Sequence, residues 1–328
     1  MTMGHISTKL DLIIDTHAHI YPQIRGQVGA GKTRGLEYGL ATVGANTQRV
    51  LPPLNAKVSH TPPMLLKAMA WAGVHHAVLL QGPFYGECNR FALDAVRQHP
   101  NQLSAAAYLD PWKQTAQQDL AWILEQEEFC GIKLECSDMS GLCGIHPDAR
   151  LDDPQLDWLW TEISDAKLTL TLDLGAIGAR SYQTTATRKI AETWDQLHLV
   201  IAHLAQPRPA VDSSNMARQA WYEQLDLSKL PNVWFDTAAL PAYVAPEPYP
   251  FPTAGRYLKM AIDHMGPQKM LFGTDTPGLL MHANYPQLLQ SFQEHIGFLS
   301  LEDQRQILSQ NAKKAYRMSD QMLASAEP

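Results

Sequence analysis

The sequence predicts an α/β protein, a single (β/α)8 TIM barrel with inserted loops. Three observations lead there. Eight short apolar runs recur along the 328 residues, and segments with helix punctuation separate them. A doubly wound sheet, the alternative, would want a glycine-rich phosphate loop after an early strand, and the sequence has none. Length alone leaves one or two domains open, because a barrel with insertions reaches this size. Composition is that of a folded globule, with 45% hydrophobic and 18% charged residues.

The first run is Leu12-Ile13-Ile14-Asp15-Thr16. It is followed by Ala77 to Leu80, Leu103 to Leu109, Gly131 to Glu135, Leu168 to Asp173, Leu197 to Ala202, Val233 to Phe235 and Met270 to Phe272. Short runs rich in Val, Ile and Leu suit strands buried on both faces. The helices between them are marked at their ends. Thr61-Pro62 opens one with Thr as N-cap and Pro at N1, and Gly73 closes it. Asp153-Pro154 repeats that opening before Leu156 to Ala166, and Asn89 to Gln98 ends ahead of Pro100. Ala254 to Met265 stops at Gly266-Pro267, and Asn284 to His295 and Glu302 to Ala312 complete the set.

The expected boundaries are a flexible leader over 1–11, the barrel over 12–318 and a flexible tail over 319–328. One inserted segment, 23–60, stands apart as a basic loop. It carries Arg25, Lys32, Arg34, Arg49 and Lys57 against Glu37, in a chain of net charge −7. A chain that acidic, with pI near 6.0, does not offer the concentrated basic face that nucleic acid requires. No apolar run approaches the ~20 residues of a membrane span, and no secretory signal pattern opens the chain. Cys88, Cys130, Cys136 and Cys143 form no CxxC pair, so free thiols and a cytoplasmic location are expected.

Chemistry-bearing residues sit where the predicted strands end. In Asp15-Thr16-His17-Ala18-His19, two-residue alternation puts both imidazoles on one side, as half of a metal site would need. Two loop histidines without a shared role remain the alternative. Leu199-Val200-Ile201-Ala202 ends in His203, and Met270-Leu271-Phe272-Gly273-Thr274 ends in Asp275. A core histidine and a helix N-cap are the competing accounts of these two. Active sites of such barrels are assembled at the carboxyl ends of the strands, which favours a shared site for all of them.

The stretches IDTHAHIYP, AGVHHAVLLQ, GIKLE, LVIAHL, NVWFDTAAL, MLFGTDTP and NAKKAYRM run in order over almost the whole chain. They resemble the amidohydrolase superfamily, in the branch of metal-dependent hydrolases that also holds lactonases and nonoxidative aromatic or muconate-type decarboxylases. The resemblance implies that His17 and His19 are a metal pair and that Asp275 is both ligand and proton shuttle. It makes His203 a ligand or a group that polarises the substrate. Where the family carries a fifth-strand histidine ligand, this chain has Asp173, which makes the site richer in oxygen. Lys133 matches a lysine that is carbamylated between two metals in some members. Without the fifth-strand histidine, a Lys133–Glu135 pair lining the interior and meeting substrate is the simpler account.

One divalent cation is therefore expected, zinc or manganese, with a metal-free relative as the alternative. The expected reaction is hydrolysis of a small ester, lactone or amide, with Asp275 and His203 as catalytic groups. Decarboxylation on the same residues is the second reading, and a non-catalytic barrel the third. Arg25 and Arg49, with Arg34, are expected to clamp a substrate carboxylate through the planar guanidinium fork. A homodimer acting on a small molecule completes the expectation.

Overall fold

The computed structural model describes residues 12–323, and its central sheet has eight parallel strands. The first is β1 (Ile14–Ala18). An insertion then contributes β2 (Gln27–Val28), β3 (Gly31–Gly35), β4 (Leu40–Val43) and β5 (Asn46–Arg49). The other barrel strands are β6 (His76–Leu79), β7 (Leu103–Tyr108), β8 (Phe129–Glu135), β9 (Thr169–Asp173), β10 (His198–Ile201), β11 (Val233–Asp236) and β12 (Met270–Leu271). Their spatial order is their chain order, β1-β6-β7-β8-β9-β10-β11-β12, which is the order of a barrel and not of a doubly wound sheet. Beyond the regular strands, backbone bonds from Thr16 N to Phe272 O (2.9 Å), Asp275 N to His17 O (2.8 Å) and His19 N to Thr276 O (2.7 Å) join the last strand to the first.

All eight expected strands form, because each apolar run is covered on both faces. Ile132, Leu170, Leu199 and Val233, among others, are wholly buried. Gly73 ends the helix Pro62–Ala72 in the left-handed region, while Thr61 sits at the N-cap without a side-chain capping bond. Asp153 caps by accepting from Gln155 N, and Asn284 forms a reciprocal capping box with Gln287 ahead of Tyr285–His295. The expected helix over 302–312 is instead Leu301–Arg305, a π-helical turn Gln306–Gln310 and Asn311–Ala315. All four cysteines are free thiols. Among the described residues, no helix is long and apolar enough to cross a membrane.

One expectation needs correction. The segment 23–60 is not a plain loop: its four strands form an antiparallel meander, β2-β3-β4-β5. Val28-Gly29-Ala30 and Val43-Gly44-Ala45 repeat one signal, a two-residue hairpin loop opened by a glycine at φ 52° and 59°. Two-residue hairpins need positive φ at that position, which glycine adopts without strain. Of the segment expected as a tail, residues 319–323 are described. Asp320–Leu323 is helical, and Leu323 is buried beneath the barrel with Ala312, Ala315, Tyr316 and Met318. Residues 1–11, expected as a leader, lie outside the described part.

Candidate active site

The carboxyl ends of the barrel strands open into a cavity of about 380 Å³, a size suited to a small molecule. His19, Lys133, Glu135, Asp173, His203 and Asp275 all line it. His17 lies just beneath, fully buried. Six sequence-predicted residues thus meet at one mouth, with His17 as their floor.

His17 is fixed from behind. Its Nδ1 is 3.0 Å from Asp236 Oδ2, and a carboxylate only accepts, so Nδ1 carries the proton. That leaves the Nε2 lone pair facing the site. There it meets Lys133 Nζ at 3.1 Å and Asp275 Oδ1 at 3.7 Å. Burial, together with Lys133, keeps the ring far from protonation. A Cβ on Gly273 would stand 3.0 Å from His17 Cβ, so glycine there lets the end of β12 pass behind the ring.

His19 differs in what its second nitrogen meets. Its Nδ1 donates to Leu80 O (2.7 Å), and its Nε2 lies 2.8 Å from Asp275 Oδ1. Burial lowers the His19 pKa, although the Asp275 carboxylate opposes it. Leu80 O only accepts, so the short Nε2–Oδ1 contact is a hydrogen bond only with a second proton on the His19 ring, which the Asp275 carboxylate favours and burial opposes. Asp275 holds a left-handed backbone, φ 61°, and its side chain is 24% exposed, enough for substrate or water to reach it. Burial pushes the Asp275 carboxyl up, but the hydrogen bond from His19 and the neighbouring imidazoles outweigh it and hold it ionised.

His203 does not continue its strand. His203, Leu204, Ala205 and Gln206 all have positive φ, from 51° to 61°. Four consecutive left-handed residues cost about 1–2 kcal/mol each and persist only when neighbours over-determine them. Here Asp236 Oδ1 accepts from His203 N (2.8 Å), Leu204 O from Trp221 Nε1 (2.8 Å), and Ala205 O from Tyr182 OH (3.1 Å). The turn stacks His203 on His17, with ring centroids 4.5 Å apart. It also brings His203 Nε2 to 3.1 Å from Asp173 Oδ2, while Gln206 Nε2 donates to Asp173 Oδ1. Burial disfavours the imidazolium, but the Asp173 charge wins and raises His203 to about 9. Burial likewise pushes Asp173 up, and the His203 charge outweighs it, so Asp173 is held below the usual carboxylate range.

His17, His203 and Asp275 offer ligand atoms all within 4.8 Å of one another. These donors fit a divalent cation. His17 and His203 each have one ring nitrogen tied to a carboxylate, the usual support for a ligating imidazole. His203 Nδ1 is buried with no hydrogen-bond partner among the described residues, an orphan that a cation would satisfy. His19 adjoins this group through Asp275. Asp173 is engaged by His203 and Gln206, one step behind it.

The other expected residues divide. Glu135 lines the cavity but turns back to accept from Ser137 N (2.9 Å), and burial followed by Asp173 raises it to about 7. Arg25 and Arg49 do not reach the mouth. Arg25 lines a separate cleft with Arg34 and Lys113, and Arg49 donates to Tyr38 O on the exposed hairpin. The arginine that lines the mouth is Arg208, stacked 4.7 Å over the Tyr243 ring and donating to Gln206 Oε1 (3.0 Å). Asp236 and Arg208 had no assigned role from sequence. Asp236 had a signal, since Val233-Trp234-Phe235 is a buried run ending in an acid, like those before Asp173 and Asp275. Arg208 sits in an irregular rim segment whose direction only the left-handed turn determines.

Comparison with known proteins agrees with this fold. An L-fucono-1,5-lactonase of Burkholderia ambifaria is 25% identical over 224 residues, 66% of this chain and 69% of the relative. An amidohydrolase of Burkholderia multivorans, solved with HEPES, superposes with TM-score 0.71 at 18% identity, over 94% of this chain and 100% of that one; its zinc-bound form gives 0.68 at 17%, with the same coverage. A probable 2-pyrone-4,6-dicarboxylic acid hydrolase of Acinetobacter baumannii, solved with citric acid, gives 0.66 at 17%, over 93% and 99%. The amidohydrolase family pattern matches residues 14–318, from β1 to the segment that closes the barrel floor, and the chain belongs to that family of hydrolases.

Proposed function

We propose that this enzyme hydrolyses a small, carboxylate-bearing lactone or ester at the barrel mouth, with zinc held by His17, His203 and Asp275. One observation carries the reading: Asp275 is reachable from the cavity, while its Oδ1 lies 2.8 Å from His19 Nε2. An ionised carboxylate so placed can accept a proton from water and return it.

When bound, a divalent cation supplies Lewis acidity, polarising a carbonyl and easing the deprotonation of water. An imidazole-rich donor set suits zinc, and the zinc-bound Burkholderia relative supports that choice. His203 would then use Nδ1 as ligand and keep Nε2–H on Asp173, so the cation replaces the second ring proton. Asp275 takes the proton as water adds to the carbonyl. It then delivers that proton to the leaving oxygen as the acyl C–O bond breaks. His19, hydrogen-bonded to Asp275, orients the carboxylate for both transfers. Arg208 at the rim meets the substrate carboxylate; the lactonase among the relatives supports a lactone substrate, and the probable dicarboxylic acid hydrolase supports an acidic one.

The test is product analysis on two panels. Sugar-acid and pyrone carboxylate lactones should open to hydroxy acids, with loss of turnover in Asp275→Asn. Carbon dioxide release from a hydroxybenzoate panel, with no lactone opened, would replace hydrolysis by decarboxylation.

A further inference from the structure

Lys133 is the buried group whose place is not accounted for by hydrolysis. It projects from β8 into the cavity wall and is 2% exposed. Its Nζ lies 3.1 Å from His17 Nε2. Asp236 on Nδ1 makes Nε2 the acceptor, so the lysine amine donates into the lone pair that a metal ion needs. The same lone pair cannot serve both.

We propose that Lys133 is a built-in competitor for the metal: its amine occupies His17 Nε2 in the metal-free enzyme and must leave it before a divalent cation can bind. Two further facts support this. Glu135 stands two residues along the same strand, hence on the same side, and both Glu135 and Asp173 are electrostatically stabilised by Lys133. The displaced amine therefore has two carboxylates to turn to. A lysine ammonium and a divalent cation also repel in a poorly solvated space, so metal affinity is set against the cost of moving Lys133. The device makes metal loading carry the cost of displacing Lys133.

This inference rests on the cation reading of His17, His203 and Asp275, and zinc binding itself is the readout. Chelator-stripped wild-type, Lys133→Met and His17→Ala proteins are titrated with Zn²⁺ by calorimetry or against a chromophoric chelator. Methionine keeps an unbranched apolar chain, one atom shorter than lysine, and removes both donor and charge. Zinc should bind Lys133→Met roughly tenfold or more tighter than wild type, the scale on which groups around a ligating imidazole act. Structural damage would weaken binding, the opposite sign. Melting curves verify the fold, and Lys133→Ala, with the same expected direction, substitutes if the methionine variant does not fold. Equal or weaker zinc affinity in a folded Lys133 variant, with affinity lost in His17→Ala, overturns the role of Lys133 and leaves the cation site standing. No zinc binding in any of the proteins overturns both.

Discussion

The two ends of the barrel use the same residue types for opposite purposes. At the floor, His76 has Nδ1 3.0 Å from Asn101 O and Nε2 2.8 Å from Ser104 Oγ. Thr169 donates to Ala315 O (2.7 Å), and Thr171 shares a hydrogen bond with Tyr316 OH (2.9 Å). Each polar group there is matched to a neutral partner, and the C-terminal residues seal it off. At the mouth, the histidines His17, His19 and His203 face Asp236, Asp275, Asp173 and Lys133, every one of them ionisable. Burial with neutral partners gives an inert polar core, whereas burial with charged partners makes protonation depend on what binds. The difference teaches where reactivity lies: not in the number of buried histidines but in what their second nitrogen meets.

The sharpest way to break the comparison is at Asp275. Replacing it by Asn keeps the size and removes the proton acceptor. For a lactone that the enzyme opens, kcat/KM should fall by roughly 10²–10⁴-fold, the range of general acid–base assistance, with the melting temperature close to wild type. Near-wild-type turnover in the Asn variant would remove Asp275 from the reaction.

The floor should respond in stability rather than in rate. Burial lowers His76 from an ordinary 6.5 to about 4. Between those values the unfolded chain binds the proton and the folded chain does not, so the folded state is favoured as pH rises. The contribution is complete above the unfolded pKa and is lost as pH falls from about 6.5 toward 4, by up to about 3 kcal/mol. Urea titrations at several pH values should show that slope, and His76→Gln should flatten it while kcat at neutral pH stays put. An unchanged slope in His76→Gln would mean that the acid sensitivity of the fold resides elsewhere.

Support behind the mouth should give a smaller effect, read in metal affinity. Asp236 fixes both the His17 tautomer and, through Oδ1, the backbone N–H of His203. Asp236→Asn can still fill the space, but it no longer sets the proton on Nδ1. Zinc affinity should drop roughly 10–100-fold by chelator competition. An unchanged affinity would make Asp236 a packing group only.

The same division explains what could be read in the sequence. Both-face burial leaves a strong mark, so all eight strands and their order were legible from runs such as Leu199 to Ile201. His17, His19, His203 and Asp275 were legible because each stands at the end of such a run. The hairpin insertion was not, although Val-Gly-Ala occurs at both of its tight turns, because its strands are short and largely exposed and carry little apolar alternation. Pairwise roles were hidden for another reason. Asp173 was expected among the ligands, yet the left-handed turn at His203 brings that imidazole onto it, and no local pattern announces four positive φ values in His203-Leu204-Ala205-Gln206. The expected arginine clamp at Arg25 and Arg49 rested on charge count, which does not say which way an insertion faces.

The smallest of the expected effects tests that last point. Arg208 is held at the rim by Tyr243 beneath its guanidinium and Gln206 beside it, an arrangement that presents a planar fork to the cavity. It touches neither Asp275 nor the histidines in any hydrogen bond or ion pair described, so its contribution should be to binding. For a carboxylate-bearing lactone, Arg208→Ala should raise KM roughly tenfold, the low end for one charge-assisted contact, with kcat nearly unchanged. The same substitution should leave KM unaltered for the corresponding neutral lactone, which has no carboxylate to lose. Arg25→Ala, in the separate cleft, should change neither. A rise in KM for Arg25→Ala without one for Arg208→Ala would move the carboxylate contact from the mouth to the insertion, and with it the face of the barrel that selects the substrate.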